Sequence, residues 1–182
     1  FTTTKFGLFA DITATSWKLY ARDVAENPDA GGNDKLYGGS GADKLYGGVG
    51  DDILDGGNQG DVDVLQGGKD NDTYHFGRGY GIDVFEDEAG STDKIQLGND
   101  VTEEEVVVAR SANDVWIELQ SNGNTTQDIV IVNDWYAGDS IETIQFADGT
   151  VWDQAEIERR TEEEAGQGGP EEEETTLVIG AN

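Results

Sequence analysis

Seven aspartates recur at nearly regular spacing, and most of them follow closely spaced glycines. Aligned on the aspartate, five units read DAGGNDKLY, GGSGADKLY, GGVGDDILD, GGNQGDVDVLQ and GGKDNDTYH, with two extra residues in the fourth. The same spacing continues more faintly in RGYGIDVF and AGSTDKI. The recurring carboxylates are Asp34, Asp43, Asp52, Asp63, Asp72, Asp83 and Asp93. Carboxylates and the carbonyl oxygens that glycine turns expose are ligands for hard cations, so the pattern indicates metal chemistry.

An apolar or aromatic residue stands two places beyond each aspartate and supplies the element that would position it. The series is Leu36, Leu45, Leu54, Leu65, Tyr74, Phe85 and Ile95. A fixed period of this length is typical of a solenoid. We therefore predict a tight glycine turn followed by a very short strand in each unit, with one side chain pointing into a shared core.

Stacking such units would bring the aspartates of alternate turns together. If each coil contains two units, Asp34, Asp52, Asp72 and Asp93 share one edge, and Asp43, Asp63 and Asp83 share the other. Carboxylates one strand spacing apart, ~4.8 Å, repel by roughly 3 kcal/mol at an effective dielectric of 20. The stacking predicts shared cation sites at Asp34/Asp52, Asp43/Asp63 and Asp52/Asp72, with Asp63/Asp83 and Asp72/Asp93 as further candidates.

Calcium fits this donor set better than other common metals. It accepts 6 to 8 oxygen ligands, including backbone carbonyls, whereas magnesium demands tighter geometry. Zinc prefers His or Cys ligands, but the chain has one histidine and no cysteine. We expect about three to five calcium ions. Asp70, at the third-glycine position, is an additional candidate ligand, and the candidate carbonyl donors are Gly32, Gly39, Gly41, Gly48, Gly50, Gly57 and Gly68. The alternative is ordinary aspartate turn chemistry without a metal.

Composition narrows the classes of function. The chain has 182 residues and a formal net charge of −28, which argues against nucleic acid and anionic membranes as partners. No cysteine is present, so disulfides and thiolate metal sites are excluded. No stretch approaches the ~20 apolar residues of a membrane span, and no signal peptide is visible. The first residue is Phe1, so we expect a piece of a longer protein.

Outside the repeat, we predict three further segments. Residues 1–28 form an N-terminal cap that includes a short helix over TSWKLYARDVAENP, and residues 29–93 are the repeat. Residues 94–164 form a β-rich cap with turns at SAND and ADGT and a helix that Asp153 caps, and residues 165–182 are an acidic flexible tail. Trp116 is expected in the core, His75 at the surface or in packing, and Trp135 and Tyr136 either pack in the cap or contact a partner.

The units GGSGADKLY and GGVGDDILD resemble the nonapeptide GGxGxDxUx of the RTX (repeats-in-toxin) family. The segments DTYHFGRGYGIDVFEDEAGSTDKIQLG, VNDWYAG and IETIQFADGTVWD resemble the flanking segment of haemolysin-type calcium-binding and adenylate cyclase toxin-like proteins. The resemblance covers roughly residues 29 to 160. It implies an all-β fold, a right-handed parallel β-roll that binds calcium between turns, and bacterial secretion through the type I apparatus.

Motifs of catalysis are missing from the sequence: there is no HExxH, GxSxG or Walker A loop. We therefore predict a non-enzymatic, secreted module that is disordered without calcium and folds when extracellular calcium binds. Two alternatives stay open. One is an adhesion or carbohydrate-binding module that contacts a cell surface or glycan through Tyr37, Tyr46, Trp135 and Tyr136. The other is an accessory module of a secreted hydrolase or alginate-modifying enzyme.

Overall fold

The structure is a computed structural model that describes residues 7–10, 19–22, 31–87, 92–121, 124–137 and 141–167. Two strands precede the repeat, β1 (Gly7–Ala10) and β2 (Leu19–Arg22). The strands from the repeat onward are β3 (Lys35–Tyr37), β4 (Lys44–Val49), β5 (Ile53–Asp55), β6 (Val64–Lys69), β7 (Thr73–Phe76), β8 (Ile82–Glu86) and β9 (Lys94–Leu97). The later strands are β10 (Val106–Ser111), β11 (Asp114–Ser121), β12 (Asn124–Val132), β13 (Thr143–Gln145) and β14 (Val151–Asp153). Short 3-10 helices span Glu103–Glu105 and Trp135–Ala137, and helix α1 spans Gln154–Gln167.

The repeat strands divide between two sheets. Strands β3, β5, β7 and β9 pair in parallel in one sheet, and β4, β6 and β8 pair in parallel in the other. Each strand therefore pairs with the strand two units away, as the alternation of edges predicted. The two extra residues of the fourth unit fall in the turn between β5 and β6, so the strand register continues through the insertion.

Two columns of apolar side chains fill the space between the sheets. Successive residues in a strand point to opposite faces, and the residue two places beyond each aspartate points inward. One column contains Leu36, Leu54, Tyr74, Ile95 and Ile144, and the other contains Leu45, Leu65, Phe85 and Val132. All of these side chains are buried, which confirms the predicted core.

The segment after the repeat completes both sheets. Strand β12 adds in parallel to β8 and continues into an antiparallel meander with β11 and β10. Strand β13 adds in parallel to β9 and forms an antiparallel hairpin with β14. The strand-rich fold is thus confirmed, but both sheets are mixed rather than purely parallel. The reason is that short turns, such as those predicted at SAND and ADGT, can join only antiparallel neighbours.

Helix α1 packs on the end of this segment. The Asp153 carboxylate accepts the backbone N–H of Glu156 at 2.9 Å, so the predicted N-cap is confirmed. Ile157 is buried, and the guanidinium of Arg160 lies 3.5 Å from the centre of the Trp152 ring. The helix continues to Gln167, so the first three residues of the tail predicted from residue 165 are helical. No helix in the described part of the chain is both long and apolar enough to cross a bilayer.

The predicted N-terminal helix is wrong where the structure describes it. Leu19–Arg22 is a strand that pairs antiparallel with Gly7–Ala10, and it lies beside β4. An isolated helix of this length is marginal in water, whereas a neighbouring strand satisfies the same backbone groups with inter-strand hydrogen bonds. The rest of that predicted helix, and residues 168–182 of the predicted tail, lie outside the described residues.

Trp116 was also predicted wrongly, because its side chain is 40% exposed instead of lying in the core. Its neighbours Val115 and Ile117 are fully buried. The alternation along β11 was therefore correct, but the two faces were assigned the wrong way round. A large aromatic can lie on the outer face of a sheet and pack against its cross-strand neighbours, here Ala109 and Ile131.

Candidate metal centre

The structure brings the repeat aspartates together in the two columns that the sequence predicted. Asp34, Asp52, Asp72 and Asp93 follow one another along the edge of the β3 sheet, and Asp43, Asp63 and Asp83 follow one another along the edge of the β4 sheet. Six of the seven are buried, with at most 2% of the residue exposed, and Asp34 at the outer end is half-buried. Carboxylates are seldom so completely buried without a partner.

A ladder of backbone hydrogen bonds links the aspartates within each column. The backbone N–H of Asp52 donates to Oδ1 of Asp72 at 2.7 Å, and the N–H of Asp72 donates to Oδ1 of Asp93 at 2.6 Å. On the other edge, the N–H of Asp43 donates to Asp63 at 2.8 Å. One oxygen of each acceptor carboxylate therefore binds the backbone of the previous coil. Ordinary aspartate turn chemistry without a metal is enough to explain this oxygen.

The second oxygen of several carboxylates is not accounted for in this way. Oδ2 of Asp52, Asp72 and Asp83 is buried and has no hydrogen-bond partner among the described residues. Leaving a buried acceptor unsatisfied costs about 1–3 kcal/mol, and more if it is charged. A hard cation would satisfy these oxygens, so the residues fit calcium on the chemistry of their donors.

Backbone carbonyl oxygens face the same places. A methyl group on Gly47 would lie next to Oδ2 of Asp52 and 2.6 Å from the carbonyl oxygen of Gly67. A methyl group on Gly38 would likewise lie 2.9 Å from Oδ2 of Asp43 and 2.6 Å from the carbonyl oxygen of Gly56. Carboxylate and carbonyl oxygens thus converge on spaces that only glycine leaves open.

Burial also changes the proton affinity of the aspartates. Loss of water around the carboxylate is the main cause, and it raises the pKa of Asp52 and of Asp63 to about 6, that of Asp72 to about 7 and that of Asp83 to about 8. Neighbouring carboxylates raise these pKa values further, while the backbone N–H of the previous aspartate lowers them. Burial therefore disfavours the charged form of these carboxylates, and either a proton or a bound cation would offset that cost.

Of the glycines predicted as carbonyl donors, five lie outside the strands, and Gly48 and Gly68 lie near the ends of β4 and β6. Six of the seven have positive φ, between 95° and 124°, and Gly32 is the exception. Asp70 takes φ 79° at the third-glycine position of its unit, and its Oδ2 accepts the N–H of Gly50 at 3.2 Å. The carboxylate of Asp70 is exposed and bridges two stacked turns. The assignment of individual carbonyls as ligands stays a prediction.

Three carboxylates that the sequence did not single out lie at the same edges. Glu142 occupies the position after Asp93 in the β3-sheet column, and Asp128 accepts the N–H groups of Gly79 and Gly81 at 2.9 and 3.0 Å. Asp87 lies beside Asp72 and Asp93. A sequence signal was present for Glu142 and Asp128, because Ile144 and Val130 stand two places beyond them as in the repeat units, whereas Asp87 has only Ala89 at that offset.

The remaining candidates fall into two groups. Trp135 is 2% exposed, so it packs in the core and is not available as a partner contact. Tyr136 is half-buried, with the Arg110 guanidinium 3.7 Å from its ring centre. Tyr37 and Tyr46 are exposed and His75 is half-buried. Contact of the two exposed tyrosines with a surface or glycan stays a prediction.

Fold and site together define a cation-binding repeat protein of the β class. The family model for the RTX calcium-binding nonapeptide repeat matches residues 30–62 and 63–90, and that for the haemolysin-type calcium binding protein related domain matches residues 121–156. The chain belongs to the RTX haemolysin-type calcium-binding proteins. No curated protein matches it significantly.

Proposed function

We propose that this chain is a non-enzymatic folding module of a secreted bacterial RTX protein, extended without calcium and folded with it. In this proposal residues 29–93 close into a right-handed parallel β-roll, which the parallel pairing of strands two units apart supports. The observation that carries the proposal is the set of buried, unpaired Oδ2 atoms on Asp52, Asp72 and Asp83.

Charge provides the switch. The chain carries 39 acidic and 11 basic residues, and folding brings the repeat aspartates into two columns. Without a counter-charge, repulsion and burial oppose closure, which would keep the chain extended during passage through the type I apparatus. Bound calcium supplies positive charge and oxygen coordination to each pair of aspartates.

The expected energies are sufficient for such a switch. Extracellular calcium modules have dissociation constants of ~10⁻⁴–10⁻³ M, and a tenfold excess of ligand over that value stabilises the folded state by about 1.4 kcal/mol per site. Several sites together would contribute an amount on the order of the whole free energy of unfolding of a domain, which is typically about 5–15 kcal/mol. The later strands would cover the last coil, whose edges would otherwise be open.

The direct test is far-UV circular dichroism and size-exclusion chromatography of the chain in chelator and then in millimolar calcium. We expect an expanded chain with little strand signal in chelator and a compact β-rich chain in calcium. Asp52 adjoins both Asp34 and Asp72, so Asp52→Asn should raise the calcium concentration at the folding midpoint. The control is Asp134→Asn, which removes the same charge at an exposed position where φ is 54°.

Two results would contradict this proposal. The first is a chain that is equally compact and equally resistant to urea in chelator and in calcium. The second is an Asp52→Asn variant with the same calcium midpoint as the Asp134→Asn control. For secretion, the expected result is export of the chain into the medium by cells with a type I apparatus, with the product folding only after calcium is added.

A further inference from the structure

Asp87 replaces a glycine of the repeat. Strand β8 pairs with β6 so that Gln66 is in register with Glu86, and the next residues are Gly67 on one strand and Asp87 on the other. Gly67 is the first glycine of its unit, and a side chain there would overlap Oδ2 of Asp72. At the equivalent position one coil later, the chain has a carboxylate.

The side chain of Asp87 points into the end of the β3-sheet column. One carboxylate oxygen from each of Asp72, Asp87 and Asp93 lies within 4.8 Å of the other two, and all three residues are buried. Oδ1 of Asp87 accepts the backbone N–H of Gly68 at 3.1 Å, which fixes the carboxylate in this position. The hydroxyl of Tyr74, which donates to the carbonyl oxygen of Glu86 at 2.7 Å, lies beside Asp72.

A second observation points to a ligand here. Asp72 is 1% exposed, and its Oδ2 has no hydrogen-bond partner among the described residues. Oδ1 of Asp72 accepts the N–H of Asp52, so the unpaired oxygen is Oδ2. It lies beside Gly67, the residue that falls opposite Asp87 in the pairing of β6 with β8. The cluster therefore contains a buried acceptor as well as three acidic groups.

We propose that Asp72, Asp87 and Asp93 form a three-carboxylate calcium site that differs from the two-aspartate sites of the repeat and binds calcium more tightly than they do. Calcium affinity rises with the number of charged ligands. Two carboxylates neutralise one Ca²⁺, whereas three leave a negative charge that a trivalent lanthanide would neutralise. The site should therefore prefer Tb³⁺ over Ca²⁺ more strongly than the repeat sites do. The inference rests on the proposed calcium-binding function and adds to it one specialised site.

The experiment is a calorimetric titration of the full chain with Ca²⁺ and, separately, competition of Tb³⁺ against bound Ca²⁺. Two variants remove the third carboxylate: Asp87→Asn keeps the shape, and Asp87→Gly restores the residue that the other units have. Asp134→Asn is the matched control for charge. We expect one calcium ion to bind the wild-type chain and the control about tenfold more tightly than the rest, and both Asp87 variants to lose that difference while binding the same number of ions.

The outcomes separate this inference from the proposed function. If the wild-type chain binds no calcium, both fail. If the wild-type chain folds with calcium but both Asp87 variants titrate like the Asp134→Asn control, only the three-carboxylate site is overturned. Should neither variant fold, anomalous diffraction from wild-type crystals grown with Tb³⁺ decides the matter. An ion within about 2.3–2.6 Å of an Asp87 oxygen supports the site, and an ion bound by Asp72 and Asp93 without Asp87 refutes it.

Discussion

The backbone N–H of Asp93 donates a hydrogen bond of 2.7 Å to Oε2 of Glu142, which is 49 positions later in the chain. Strands β9 and β13 pair in parallel, so Glu142 stands where the next aspartate of the column would be. The segment after the repeat thus continues the pattern of the repeat with a longer acid. At the other edge Val130, not Asp128, is in register with Asp83, and Asp128 instead accepts the backbone N–H groups of Gly79 and Gly81.

Removing the Glu142 carboxylate should loosen the later strands from the repeat. Glu142→Ala leaves the N–H of Asp93 without this acceptor, and we expect a loss of about 1.5–3 kcal/mol in the free energy of unfolding. Glu142→Gln retains an amide oxygen and should lose less. Urea denaturation in saturating calcium measures both, with Glu104→Ala at an exposed position as the control. Equal stability of the Glu142→Ala and Glu104→Ala variants would show that this bond does not stabilise the fold.

Glycine at position 47 should be indispensable for a spatial reason. A methyl group on Gly47 overlaps Oδ2 of Asp52 and lies 2.6 Å from the carbonyl oxygen of Gly67. We expect Gly47→Ala to cost about 1–3 kcal/mol through overpacking and to raise the calcium midpoint. Gly32→Ala is the control, because a methyl group there meets nothing within 4 Å. Thermal denaturation at fixed calcium would contradict this explanation if the two variants melted alike.

Acid should favour the calcium-free fold. The folded-state pKa values of Asp72, about 7, and Asp83, about 8, lie above the ordinary value of 3.8. At a pH between the ordinary value and these raised values, the folded chain binds more protons than the unfolded chain. The free energy of unfolding therefore falls as pH rises through that interval. The stabilisation is complete below about pH 4 and is lost as pH rises through 6 to 8.

Far-UV circular dichroism in chelator, recorded from pH 8 down to pH 5, measures this effect as a gain of strand signal. Asp83→Asn should weaken the dependence near pH 8, because it removes the group with the highest of these pKa values, whereas Asp134→Asn should leave it unchanged. With calcium present the trend should reverse, because protons compete with the cation for the same oxygens. A strand signal in chelator that is constant or falls on acidification would contradict the assigned direction.

Two neighbouring residues of β11 should differ sharply in their contribution to stability. Ile117 is fully buried, so Ile117→Ala is expected to cost about 2–5 kcal/mol. Trp116 lies on the outer face, and Trp116→Thr should cost less than about 1 kcal/mol, the scale of cross-strand contacts. Chemical denaturation in calcium distinguishes them. A larger loss for Trp116→Thr than for Ile117→Ala would mean that the faces of β11 are reversed.

Much of the site could be predicted because its geometry follows from a short period. The offset of two between Asp52 and Leu54 places the carboxylate at the turn and the leucine in the core, and the same offset recurs in the other units. Strands two units apart then pair in register, which alone is enough to assign Asp52 to the column of Asp34 and Asp72. The turn at ADGT and the cap at Asp153 are local in the same sense.

The sequence by itself therefore determined the repeat, its two columns of aspartates and their suitability as oxygen ligands for calcium, since each depends on residues within about one coil of one another. Only the tertiary structure decided which face of β11 is buried, that Leu19–Arg22 is a strand, that Asp87 and Glu142 join the β3-sheet column, and that Asp128 binds the backbone at Gly79 and Gly81. These features depend on contacts between distant segments. Strand alternation is satisfied equally well by either face until a neighbouring sheet covers one of them, and a carboxylate joins a column only when chain pairing brings it there.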